Sequence, residues 1–243
     1  MATVALIGAD GSGKTTIAKR LEESFPLPTK YLYMGWTTES ASFALPTSKL
    51  VRYLRHHNNE KSKAKWDGIL SLDRSKSGGK GRKPALISNI LAASRLFNRL
   101  VEEWYLQCIS WSYQWRGYTV LYDRHFIFEA AFKYGVSSNG GERLTHRLHR
   151  WLLNHCFVKP SLIIYLDAPP EVLYKRSEEA TIDILKQRQD ALLEQGKKLP
   201  NFIRVDACQP LEDVYREVGH HIMSYIAPQA GKTTRKSRYA AEL

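Results

Sequence analysis

The sequence predicts an α/β fold with a five-stranded parallel sheet and helices on both faces. Three observations carry this. Short apolar runs recur along the chain (TVALI, KYLYM, YTVLY, SLIIYL, FIRV), as in strands buried on both faces. Longer segments between them place apolar residues every third or fourth position, the helical period. Strand and helix then alternate, and such alternation gives a covered parallel sheet.

The elements follow in order. Thr3 to Ile7 is the first strand and ends at a glycine. Thr16 to Phe25 is a helix with Ile17, Ala18 and Leu21 on one face, stopped by Pro26 and Pro28. Lys30 to Met34 is the second strand. The segment LPTSKLVRYLRHHNNEKSKAKWDGILSLDRSKSGGKGRKP is rich in Lys, Arg, Ser and Gly. Its first part suits a basic helix and its end a flexible linker. Leu86 to Arg116 is a long helix closed by Gly117. Trp104, Trp111 and Trp115 share one of its faces, which points to core. Tyr118 to Tyr122 is the third strand, and one or two helices fill 126–157. Ser161 to Leu166 is the fourth strand, with helices over 170–195. Phe202 to Val205 is the fifth, followed by a helix over 211–226. One domain over 1–228 is expected, with an insertion at 49–84 and a disordered basic tail at 229–243.

At 243 residues, 43% hydrophobic and 25% charged, the composition is that of a soluble globular protein. No apolar run is long enough to span a membrane. No export segment is expected, because the glycine loop already starts at residue 8. Cys108, Cys156 and Cys208 have no metal spacing and suit reduced, mostly buried thiols, so a cytoplasmic location is expected. His56-His57 and His220-His221 lack the partners a metal site needs and read as surface residues. The net charge of +12 is uneven: 49–84 carries +8 and 229–243 carries +3, leaving about +1 for the rest. The basicity therefore belongs to the insertion and the tail, and a nucleic-acid partner is not expected.

Gly8-Ala9-Asp10-Gly11-Ser12-Gly13-Lys14-Thr15 fits G-x-x-x-x-G-K-[ST] between a strand and a helix. That context identifies a phosphate-binding loop and an NTPase fold of the P-loop type. The glycines let backbone N–H groups converge on phosphates at a helix N-terminus. Lys14 reaches the β- and γ-phosphates of ATP, and the Thr15 hydroxyl ligates Mg²⁺. Residues Gly8 to Thr16 thus form the candidate ATP site. A second GKTT at Gly231–Thr234 has no preceding strand and is set aside. Asp123-Arg124 directly follows the third strand. An acid there can hold the metal shell or orient the attacking group, and an arginine can clamp a phosphate bidentately; the alternative is a local structural ion pair.

The ordered set G-x-D-G-x-G-K-T, A-A-S-R, D-R-H, YLDAPPEVLYKR and D-A-C-Q-P-L-E resembles the thymidylate kinase family over about residues 2–25 and 86–226. The resemblance implies a P-loop nucleoside monophosphate kinase that moves the γ-phosphoryl group of ATP-Mg²⁺ to a small acceptor. It implies catalytic roles for Lys14, Asp123 and Arg124, and metal ligation by Thr15 and Asp123. Arg124 would hold the acceptor phosphate, and Arg95 would read the acceptor base. Asp10 would accept a hydrogen bond from an acceptor hydroxyl; the alternative is a solvated loop residue. A homodimer is compatible with the resemblance.

The chain also departs from the family pattern. Leu91 stands where the family has a stacking Phe, and Met34 to Glu39 contains no arginine. Trp36 is either an aromatic platform for the acceptor or a packing residue. Gly11 and Ser12 exclude an arginine within the loop, leaving Lys175, Arg176 and Arg188 as lid cations, with Arg176 taken as the catalytic one. The acceptor is therefore left open: a nucleoside monophosphate or related molecule, a sugar or another metabolite. The alternative from another class is a nucleotide-dependent regulatory protein that holds nucleic acid on its basic insertion.

Overall fold

A computed structural model of the chain describes residues 2–35, 85–136, 144–177 and 180–240. Its five strands are β1 (Thr3–Ile7), β2 (Thr29–Tyr33), β3 (Thr119–Asp123), β4 (Leu162–Asp167) and β5 (Phe202–Asp206). They form one sheet in the order β2-β3-β1-β4-β5, every pair parallel. The described helices are α1 (Lys14–Ser24), α2 (Ala85–Trp115), α3 (Phe126–Val136), α4 (Leu144–Cys156), α5 (Pro170–Ser177), α6 (Ile182–Gly196) and α7 (Leu211–Ala240). Each expected strand is present, with ends shifted by one residue at most.

The chain divides into two compact units, Met1–Ser42 with Leu106–Leu243, and Phe43–Tyr105. The sequence predicts a single domain with an insertion at 49–84, a segment outside the described residues. Of the second unit only Ala85–Tyr105, a continuous helical stretch, is described.

Local chemistry explains the element ends. Phe25 turns extended at the end of α1, as a residue before proline must when Pro26 crowds its backbone. At the end of α2 the Tyr118 N–H donates to the Tyr113 carbonyl and the Gly117 N–H to that of Gln114. This is a Schellman closure, and it requires the left-handed φ of +93° that Gly117 supplies.

Strand alternation sorts the sheet into two faces. Val4 and Leu6 of β1 and Leu121 of β3 join Ile17, Ala18 and Leu21 of α1 and Val214, Val218 and Ile222 of α7 in one core cluster. Burying a side chain such as Leu21 there is worth about 1.5–3 kcal/mol. On the opposite face, Tyr122 reaches Ser110 of α2, with a hydroxyl separation of 2.6 Å. β1 has β3 on one side and β4 on the other. The carboxyl ends of these strands border the crevice where open α/β sheets bind ligands.

Three expectations are corrected. The last helix continues to Ala240, where the sequence predicts an end at 226 and a disordered tail. Pro228 removes one N–H without ending it, and the Gln, Ala, Lys and Arg residues that follow favour a helix. The three cysteines are free, but all are exposed rather than mostly buried, lying on helix surfaces and in the turn after β5. The tryptophans of α2 are not a core stripe: Trp104 is 40% and Trp115 89% exposed. Trp115 ends its helix, beyond the segment that faces the sheet.

Candidate active site

The glycine loop joins β1 to α1, and its shape is set by backbone strain that glycine relieves. Gly11 has φ +84°, and a Cβ there would lie 2.7 Å from the Leu173 carbonyl of α5. A side chain at this position would push α5 off the loop. Gly13, also at φ +84°, precedes α1 without any side-chain cap. The first-turn N–H groups of Lys14, Thr15 and Thr16 therefore have no intrahelical partner, and they carry the positive end of the helix dipole. That is an anion site built from backbone. Ala9 is fully buried and Ser12 nearly so.

The Lys14 ammonium is buried and donates to the Ala9 carbonyl at 2.7 Å and to Ser12 Oγ at 3.2 Å. Burial lowers its pKa to about 8, and the nearby Arg124 adds to the shift. The Thr15 hydroxyl donates to Asp123 Oδ2 at 2.6 Å, and the Tyr31 hydroxyl donates to the same oxygen at 3.0 Å. Burial, then the Asp123 carboxylate, pushes the Tyr31 phenol well above its usual range, so it remains a donor. Asp123 Oδ1 is buried with no partner. One hydroxyl and one half-satisfied carboxylate in contact at the loop fit a divalent cation of the Mg²⁺ type, which prefers few protein oxygens and keeps its waters.

Beside the loop lies a four-charge network. Asp10 receives Arg124 at 2.5 Å on one oxygen and Arg188 at 2.6 Å on the other. Glu129 receives the same two arginines, Arg188 at 2.8 Å and Arg124 at 3.4 Å. All four side chains are between 12% and 20% exposed, so solvent screens them weakly. Burial alone would raise the Asp10 pKa, but Arg188, Arg124 and Lys14 outweigh it and hold the carboxyl below its usual value. Arg124 sits at φ +64°, an uncommon conformation for a non-glycine residue that costs on the order of 1–3 kcal/mol. Its N–H is fixed to the Leu6 carbonyl at 3.1 Å. A side chain on Gly35 would collide with the Tyr33 hydroxyl and the Arg124 Cδ.

Lys14, Thr15, Asp10, Asp123 and Arg124 thus lie together around the loop. Arg176 points elsewhere, donating to the Ala207 carbonyl at 2.9 Å; of the two arginines, Arg188 is the one that reaches the loop, on Asp10. Trp36 lies outside the described residues, as does the side chain of Arg95. Asp167 and Asp206, also at strand ends, are engaged locally by Arg204 and by the Cys208 N–H. Glu129 and Tyr31 were not singled out by the sequence. The one available signal for Glu129 was an acid in the first helical turn five residues after Arg124, which reads equally as a dipole preference. Among the described residues no group of three or more His, Cys, Asp or Glu side chains is placed to hold a metal. No described helix is long and apolar enough to cross a membrane.

No protein-family model matches the chain. It is 28% identical over 121 residues to a thymidylate kinase of Legionella pneumophila (strain Corby), covering 45% of this chain and 55% of that one. It is 31% identical over 117 residues to a probable thymidylate kinase of Archaeoglobus fulgidus, covering 45% and 56%. Just under half of the chain is thus similar in sequence to thymidylate kinases. The chain spans about half the length of the curated relatives it matches. In structure, the chain is similar to a deoxyadenosine kinase from M. mycoides solved with its products dCMP and dCDP. The TM-score is 0.54 at 13% identity, over 91% of this chain and 99% of that one, a likeness of fold.

Proposed function

We propose that the chain is an ATP-dependent kinase that moves the γ-phosphoryl group to the phosphate of a nucleoside monophosphate or a related small acceptor. One observation carries the reading: a backbone anion site with Lys14, a Thr15–Asp123 pair and two arginines on shared carboxylates meet at the carboxyl ends of β1 and β3. The relatives named thymidylate kinase support the same class.

In this reading, the loop N–H groups and Lys14 hold the β- and γ-phosphates. Mg²⁺, held by Thr15 and Asp123, would supply charge neutralisation between those phosphates. Arg124 clamps the acceptor phosphate in line. Arg188 faces the transferring group and stabilises the charge on its equatorial oxygens. Arg176, held on the Ala207 carbonyl, takes no part in the transfer in this reading. Asp10 orients both arginines and keeps lone pairs for an acceptor hydroxyl, because a carboxylate has about four acceptor sites.

The test is ADP release from ATP-Mg²⁺ across a panel of nucleoside monophosphates and sugars. Rapid release with one nucleoside monophosphate, and none without it, is expected. Release with sugars alone would move the acceptor out of the nucleotide class, and no release with any acceptor would refute the kinase reading. Asp10→Ala is expected to raise the acceptor KM about ten-fold or more, roughly 1.4 kcal/mol, and to leave the ATP KM within about three-fold. Equal losses for both substrates would refute the acceptor role of Asp10.

A further inference from the structure

Buried polar atoms without a partner are not scattered evenly over the protein. Among the described residues they lie on Tyr33, Gln107, Asp123, His125 and Tyr165. The first four belong to the ends of β2 and β3 and to α2; only Tyr165 lies in β4. Asp123 is accounted for above. Gln107 is the extreme case, being 1% exposed with neither amide atom bonded. A buried amide without partners is costly, and a leucine or methionine would fill the same space without that cost.

The fold places Gln107 near the site. α2 runs down to Gly117 and the chain returns as β3, so helix and strand are antiparallel. Ser110 marks the level of Tyr122 through their 2.6 Å contact, and Gln114 donates to Ser110 from one turn below. Gln107 lies three residues before Ser110 on the same helix face. It is therefore about 4.5 Å nearer the carboxyl end of β3, level with Asp123 to His125. The His125 ring lies 5.3 Å from that of Tyr122 and 4.2 Å from that of Phe126. His125 Nδ1 accepts from the Ile127 N–H at 3.4 Å, and Nε2 is buried without a partner. Because Nδ1 accepts from a backbone N–H, the ring proton belongs on Nε2, a donor waiting for an acceptor.

We propose that Gln107, together with His125 Nε2–H, determines acceptor specificity by hydrogen-bonding the edge of a planar ring. The Gln107 carboxamide offers one donor and one acceptor side by side, which match the lactam or amidine edge of a nucleobase. The His125 N–H adds a donor for a ring carbonyl or nitrogen. This rests on the kinase reading for the location of the acceptor, and it deepens that reading by naming what would hold the base.

The test is calorimetric titration of the full chain, with ADP-Mg²⁺ present, using dTMP, dCMP, dAMP, dGMP and ribose 5-phosphate. One deoxynucleotide is expected to bind about ten-fold or more tighter than ribose 5-phosphate. Gln107→Leu should lose about ten-fold or more of that affinity. It should leave ribose 5-phosphate and ADP affinity within about three-fold, and it should melt no lower than the parent, since it removes an unpaired amide. His125→Phe should weaken the same deoxynucleotide. Undiminished binding by Gln107→Leu, or five probes that bind alike, overturns the proposal. Gln107→Met is the second variant; if neither folds, Gln107 is structural and the proposal fails. Base-dependent binding lost in Gln107→Leu, with no ADP release from any acceptor, refutes the kinase reading and leaves this site standing. ADP release with a sugar alone does the reverse.

Discussion

Lys14→Ala is expected to lower acceptor-dependent ADP formation by about a thousand-fold or more, with the fold unchanged. In the free protein the ammonium rests on the loop's own oxygens, Ala9 O and Ser12 Oγ. Phosphate oxygens would take their place. A preorganised cation aimed at developing charge in a water-poor site is worth about a hundred- to a thousand-fold in rate, and here it also serves binding. The proton balance makes the claim sharper. Buried Lys14 has a pKa lowered to about 8 from an ordinary 10.5. Between those values the unfolded chain keeps a proton that the folded one has lost. The group therefore makes the ligand-free protein more stable as pH rises through that window and changes nothing below it. A bound polyphosphate restores the charge. ATP binding should accordingly take up a proton above about pH 8, and affinity should fall as pH rises further. Calorimetry in two buffers of different ionisation heat reads this directly. Proton uptake that persists in Lys14→Ala would assign it to another group.

Arg188→Ala is expected to lower kcat by about a thousand-fold, the usual worth of an arginine on a transferring phosphoryl group, while the ATP KM moves little. Arg176→Ala should cost less than about ten-fold, because its guanidinium is turned to the Ala207 carbonyl. The comparison isolates position from charge, as both variants remove one arginine from neighbouring helices. Arg188→Ala also leaves Asp10 and Glu129 sharing Arg124 alone, and a stability loss of about 1–3 kcal/mol is expected from the weakened bonds. Chemical denaturation separates that loss from the kinetic one. An Arg176→Ala variant that is slower than Arg188→Ala would return the role to Arg176.

The sheet was legible in the sequence because each strand is announced locally. TVALI ends in glycine, YTVLY ends in Asp-Arg, and SLIIYL ends in Asp-Ala-Pro-Pro; none needs a distant residue to be recognised. The phosphate loop was legible for the same reason, since its eight positions are contiguous. What escaped was whatever depends on packing between elements. Glu129 acquires its place only when α6 lies against α3 and brings in Arg188. Arg188 and Arg176 are indistinguishable as charges on helices, and only the direction of each side chain separates them. Gln107 sits in an unremarkable helical run, and nothing in the spacing says that its amide is buried and unpaired. The exposed Cys108, Cys156 and Cys208 escaped because burial habits of a residue type do not fix an individual side chain.

The network around Asp10 also dictates an order of assembly. Its four members come from the first loop, the end of β3, α3 and α6, and the Asp10–Arg188 bond spans 178 residues of chain. No shorter portion of the polypeptide contains it. A chain emerging from the ribosome can close the loop around its own carbonyls early, yet Asp10 and Glu129 must wait for α6 before their charges are matched. Contacts of such long sequence separation form late, because the closure entropy comes first. The geometry proposed for phosphoryl transfer therefore arises only after α6 has been made, and until then the nascent chain holds a phosphate loop without its full set of arginines.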